Sequence, residues 1–107
     1  MKLDKYVFHY HAANLKYATK AGAPRCLNPT ESFILYAIRY LSTPRLATIM
    51  QHTRDCSYDV SEIWITKSIQ FLMQYSFIQR DGFIYSLSPT GRDYLYSVRR
   101  YLFNKRL

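Results

Sequence analysis

The segment from Asp59 to Tyr94, DVSEIWITKSIQFLMQYSFIQRDGFIYSLSPTGRDY, constrains the fold most, because three elements follow one another with almost nothing between them. Apolar residues recur at Ile65, Ile69 and Leu72, the i, i+4, i+7 period of a helix that buries one face. Two starts compete for this helix. Ser61 as cap puts Val60 and Ile65 at the two ends of a hydrophobic staple, whereas Asp59 with Glu62 offers a cap two residues earlier. Either start gives a helix running to about Gln74. Phe77-Ile78-Gln79-Arg80 and Phe83-Ile84-Tyr85-Ser86-Leu87 then flank Asp81-Gly82. A two-residue Asp-Gly loop between apolar runs is a strong hairpin signal, with both central residues needing positive φ. Ser88 and Pro89 cap and open a last helix, whose apolar stripe is Tyr94, Leu95, Val98, Tyr101 and Leu102.

Upstream, Asn28-Pro29-Thr30-Glu31 reads as another helix start: a capping Asn, Pro at the first helical position and a capping-box acid. Phe33, Ile34, Ala37, Ile38 and Leu41 share one face of that helix. Ser42-Thr43-Pro44 ends it and opens a further one, striped by Leu46, Ile49 and Met50. The polar run Gln51 to Tyr58 reads as a long connection. Residues 1–27 are ambiguous, since Lys5 to His11 alternates like a strand while Ala12 to Ala21 prefers helix. A helix over about 5–20, ending at Gly22, is the preferred reading, with an arm that orders on binding as the alternative. The chain thus divides into a basic amino-terminal segment at 1–27 (helix or arm, available for dimerisation), a core at 28–88 and a basic terminal helix at 89–107. The expected class is mainly α with a small β-hairpin, α+β.

A chain of 107 residues supports one core. No apolar run approaches the ~18 residues of a membrane span and no secretory pattern opens the chain, so a cytoplasmic protein without membrane partners is expected. Cys26 and Cys56 stand too far apart for a zinc knuckle and are too few for a disulfide framework. His9 with His11, and His52 with Cys56, are candidate zinc or copper ligands, but no acid-rich or Cys-rich cluster supports them, and no metal or cofactor is expected. With no Gly-rich phosphate loop, paired carboxylates or nucleophile motif, the chain does not read as an enzyme.

Fifteen Lys and Arg against seven acids leave a net charge of +8, which points to a polyanionic partner. The excess sits at the ends. Lys2, Lys5, Lys16, Lys20 and Arg25 face only Asp4 in residues 1–27, and Arg92, Arg99, Arg100, Lys105 and Arg106 face only Asp93 after residue 88. The middle of the chain is neutral.

Leu72, Phe77-Ile78, Arg80, Tyr85, Leu87-Ser88 and Gly91 together resemble the winged helix-turn-helix transcription regulators of the broad MarR/PadR/ArsR type. Those proteins show a recognition helix ending in a Leu-x-x-x-Gly-Leu-Ile-like run, a wing, then Leu-Thr-x-x-Gly before a final helix. The resemblance is close over Ile65 to Leu95. Ser76 stands where those families carry glycine, which predicts a less sharp helix exit, and the long Met50–Val60 connection predicts a splayed helix pair. The wing is short, with Arg80 its only basic residue near the tip.

The resemblance implies a sequence-specific regulator that binds double-stranded DNA as a homodimer, with residues of about 61–75 as the recognition helix. With Ile65, Ile69 and Leu72 inward, Ile63, Lys67, Gln70 and Gln74 fall on the opposite face. Ser61, Trp64, Thr66, Lys67 and Gln70 are then the candidate base-reading residues. Arg45, Arg54 and Arg80 are candidate phosphate contacts. Tyr94, Val98, Tyr101 and Leu102 are the candidate dimer seam, flanked by Arg99 and Arg100. The competing reading is a protein-interaction module, whose neutral face with Glu62, Ile63 and Trp64 meets a protein while the basic ends meet an acidic partner or RNA. A ligand pocket between the aromatic helices is a third.

Overall fold

The computed structural model describes residues 2–103, with side chains at 10–99 and at 101. Five helices and two strands follow in the order α1 (Lys2–Lys20), α2 (Pro29–Tyr40), α3 (Leu46–Asp55), α4 (Glu62–Gln74), β1 (Ile78–Asp81), β2 (Ile84–Leu87) and α5 (Pro89–Phe103). The protein is mainly helical with one antiparallel hairpin, the α+β class expected.

The amino-terminal ambiguity resolves to helix. α1 stops where Gly22 takes φ 100°, letting the Ala23 N–H reach the Ala18 carbonyl at 3.1 Å and the Gly22 N–H reach Thr19 at 3.0 Å. This double bond satisfies carbonyls that the helix end would otherwise leave bare. α2 starts as its sequence dictates. Asn28 Oδ1 accepts from the Glu31 N–H at 2.8 Å and Glu31 Oε1 accepts from the Asn28 N–H at 2.9 Å, a complete capping box.

α3 departs from expectation. Pro44 lies outside it, and Arg45 is the cap residue, its N–H donating to Thr48 Oγ1 at 2.7 Å. The run expected to be a loose connection continues the helix to Asp55. There Ser57, at φ 56°, turns the chain so that the Tyr58 N–H bonds back to Thr53 at 2.8 Å. Only residues 56–61 separate the two helices, so the expected long, splaying connection is absent.

Ser61 caps α4, its Oγ accepting from the Trp64 N–H at 3.3 Å, while Val60 packs against the core that holds Ile65 and lines a cleft with it. The exit from α4 is as sharp as glycine would make it. Ser76 adopts φ 63°, and the Phe77 N–H bonds to Leu72 at 2.8 Å. The left-handed conformation strains a residue that carries a Cβ. Ser76→Gly should therefore raise the unfolding free energy by roughly 0.5–1 kcal/mol, the relieved strain outweighing the added freedom of the unfolded chain. Urea titration reads this directly, and a loss of stability would contradict it.

The hairpin turns one residue later than the Asp81-Gly82 expectation. Ile78 pairs with Leu87, Arg80 with Tyr85 and Asp81 with Ile84, so the loop is Gly82-Phe83. Only Gly82, at φ 62°, is left-handed there. The core decides the register: this pairing places Ile78 and Leu87 opposite each other and buries both, whereas a loop at Asp81-Gly82 would set Ile78 against Tyr85. Phe83 is left exposed at the tip.

The core is built around α2, whose Ile34, Leu35 and Ile38 join Ile49, Ile65, Ile69, Leu72, Phe77, Leu95 and Val98. α4 packs on α2, α3 and β1; α5 packs on α1, α2 and β2. The Tyr85 N–H donates to the Pro44 carbonyl at 2.8 Å, tying the α2–α3 connection to the free edge of β2. Tyr94 and Val98, expected at a dimer seam, are buried in the protomer's own core instead, because α1 covers that face of α5. Tyr101 is half-buried, and the Leu102 side chain lies outside the described residues.

Candidate nucleic-acid interface

Bases and phosphates are read by side chains that stand clear of the core, and α4 leaves such a row. Ile65, Ile69 and Leu72 point inward and are buried, with Ser68 beside them. Ile63, Trp64, Lys67, Gln70 and Gln74 are exposed, while Thr66 is half-buried. Trp64 and Ile63 do not pack on the first helices: they remain 59% and 66% exposed. The Lys67 ammonium lies 5.6 Å from the Trp64 ring centroid, close enough for a cation–π contact that holds the two side chains together. Ser61, by contrast, uses its hydroxyl as the helix cap.

The three arginines expected to grip phosphates sit on different elements. Arg45 is exposed at the amino-terminal end of α3, and Arg80 is exposed on β1. The bond from Tyr85 to Pro44 brings these two close, since Arg80 pairs with Tyr85 and Arg45 follows Pro44. Arg54 lies in the last turn of α3, its guanidinium donating to Gln51 Oε1 at 2.8 Å, while Gln51 in turn donates to Asp55 at 2.7 Å. Arg45, Arg54, Lys67 and Arg80 are matched in number by Asp55, Asp59, Glu62 and Asp81 on the same or adjoining segments, so the stretch from α3 to β1 carries no net charge.

The surplus charge is elsewhere. Arg25 is engaged in a bidentate pair with buried Glu31, at 2.7 and 2.8 Å, and its guanidinium stacks 4.1 Å from the Phe71 ring centroid. This one arginine clamps the α1–α2 loop to α4, and its role is structural. Arg92 and Arg99 are exposed on α5, near Arg39 at the end of α2. From the sequence Arg92 and Arg99 count only as part of the basic end, with Arg99 flanking the expected seam, although Arg92, Tyr96 and Arg99 recur at i, i+4, i+7. Arg39 and Tyr40 join them only through the packing of α2 on α5, which no local pattern reveals.

His52 Nε2 lies 3.6 Å from Cys56 Sγ, but among the described residues no group of three His, Cys, Asp or Glu side chains could hold a metal ion. His52 instead joins an aromatic cluster, its ring centroid 5.5 Å from Phe33 and 5.4 Å from Tyr40. Among the described residues no helix is long and apolar enough to cross a membrane. Comparison of the chain with protein-family models, curated proteins and solved structures returns no match.

Proposed function

We propose that the protein is a winged helix-turn-helix regulator that binds double-stranded DNA, with α4 as recognition helix and the β1–β2 hairpin as its wing. The uncovered outer face of α4 carries this reading, with Trp64, Lys67, Gln70 and Gln74 exposed on it and Arg45 and Arg80 exposed on α3 and β1. A helix with its first turns free fits the major groove, where Lys pairs with guanine, Gln pairs with adenine and the flanking arginines hold phosphates. With the groove-facing side neutral, affinity from this face alone is modest, and specificity comes from base contacts. The protein acts as a homodimer in this proposal, but its seam is formed by residues other than Tyr94 and Val98.

Replacing Lys67 and Gln70 together with Ala should weaken binding to the protein's own upstream DNA by about tenfold or more, each base pairing contributing roughly 1–3 kcal/mol. Binding to random duplex should fall far less, through the loss of one charge. Anisotropy titration across a salt series, with solution mass measured in parallel, reads both quantities. No duplex binding at low salt would sink the proposal.

A second reading is favoured by Ile63 and Trp64, two large apolar side chains exposed on a neutral face. In it, the same end of α4 docks a protein partner. Trp64→Ala separates the two: it lowers duplex affinity if α4 enters a groove and leaves it unchanged if α4 serves a protein.

A further inference from the structure

We propose that the α2–α5 face is a separate binding site for single-stranded nucleic acid, in which Tyr40 and Tyr96 stack bases while Arg39, Arg92 and Arg99 hold phosphates. Two adjoining clefts make up this face, and Arg39 lines both. The larger, about 610 Å³, is walled by Phe33, Tyr36, Tyr40, His52 and Arg99. The smaller, about 240 Å³, runs past Leu87, Arg92, Leu95 and Tyr96.

Charge complementarity selects a polyanion. All three guanidiniums are exposed, and none pairs with a carboxylate among the described residues, unlike Arg25. Asp93, the acid next to them in the chain, falls about 100° round α5 from Arg92. Arg92 and Arg99 lie seven residues apart on one stripe, about 10.5 Å along the helix.

The aromatic component selects single strands over duplex. Tyr40 and Tyr96 are 77% and 70% exposed, so each keeps most of its ring surface open although Tyr40 lies 5.4 Å from the His52 ring. Arg99 sits 5.5 Å from the Tyr96 ring centroid, so cation and ring are already presented together. Bases in a duplex are stacked on one another and cannot use such platforms, whereas unpaired bases can. The larger cleft has room for a base beside the rings of Phe33 and His52. In its wall the Tyr36 hydroxyl is buried with no hydrogen-bond partner among the described residues, and burial pushes its pKa up to about 12. It therefore stays protonated. An acidic peptide would match the arginines and leave these rings without a use.

The inference is independent of the duplex reading, and one set of variants tests it alone. Fluorescently labelled oligo(dT) of about twelve nucleotides, within the usual span of such sites, is titrated with the full chain. Its abasic counterpart of equal length serves as the control. Oligo(dT) should bind several-fold more tightly than the abasic strand. Tyr40→Ala and Tyr96→Ala should each weaken it by at least about fivefold, the effect of losing one stacked base. Arg99→Ala should lower the slope of log affinity against log salt by about 0.7. Binding of random duplex by these variants should stay at the wild-type level. Equal affinity for abasic strand and oligo(dT), or tyrosine variants that bind like wild type, would overturn the site. So would loss of oligo(dT) binding in the Lys67, Gln70 double variant, which would place the strand on α4.

Discussion

Gly91→Ala is expected to lower the unfolding free energy by about 3 kcal/mol or more. Helix propensity alone argues the reverse, since alanine inside a helix outranks glycine by about 1 kcal/mol. Contact geometry decides the sign. A Cβ at Gly91 would lie 2.0 Å from the Phe77 carbonyl oxygen and 3.0 Å from its carbon, and both are backbone atoms that no rotamer change can move aside. Nor can the backbone retreat cheaply. The Ser88 N–H donates to that same Phe77 carbonyl at 3.1 Å, the Ser88 hydroxyl donates to the Ser76 carbonyl, and the Gly91 N–H donates back to Ser88 Oγ at 3.0 Å. Shifting α5 outward to admit a methyl group breaks this clasp. Thermal unfolding should register a drop on the order of 15 °C, at about 4–8 °C per kcal/mol for a domain of this size. An unchanged or raised midpoint would mean that α5 and the end of α4 do not approach as described.

Signals carried by a few neighbouring residues were legible in the sequence. The Asn28–Glu31 box, the Val60–Ile65 staple and the class of the fold follow from spacings within one or two turns, where backbone geometry leaves little choice. The α3 terminus was missed because Ser57 stands where glycine is the familiar sign of a left-handed cap. The hairpin register was missed because Asp-Gly satisfies the local rule, while the outcome is set by burying Ile78 against Leu87. Tyr94 and Val98 form an apolar stripe whether their cover is α1 or a second copy, and only the packing of α1 on α5 decides. Of the candidate site residues on α4, Trp64, Lys67 and Gln70 are exposed as helical period requires, while Thr66 is half-buried. The Arg39–Arg92–Arg99 group needed two distant segments to meet.

Asn14→Leu is the second large effect, expected to cost about 3–4 kcal/mol although it replaces a buried polar side chain with an apolar one of similar size. Apolar substitution is often benign when both partners of a hydrogen bond are removed together. Here the partners remain. The Asn14 amide donates to the Leu27 carbonyl at 2.8 Å and accepts from the Leu27 N–H at 2.9 Å, so one side chain satisfies both backbone groups of a buried residue. Its Oδ1 also accepts from the Tyr94 hydroxyl at 2.6 Å. Burial raises the Tyr94 pKa well above that of an ordinary tyrosine, so the hydroxyl stays protonated and available as this donor. Leucine leaves the Leu27 N–H and carbonyl unpaired at roughly 1–3 kcal/mol each and takes an acceptor from the Tyr94 hydroxyl, offset in part by relief of the amide's own desolvation. Tyr94→Phe removes only one of the three bonds and should cost about 1 kcal/mol. Urea unfolding of the two variants side by side makes the comparison, and similar losses in both would show that Asn14 is not the hub. Because Asn14 joins α1, the α1–α2 loop and α5, its loss also loosens the seat of α5. The Asn14 variant should therefore weaken oligo(dT) binding at Arg92, Tyr96 and Arg99, which α5 carries.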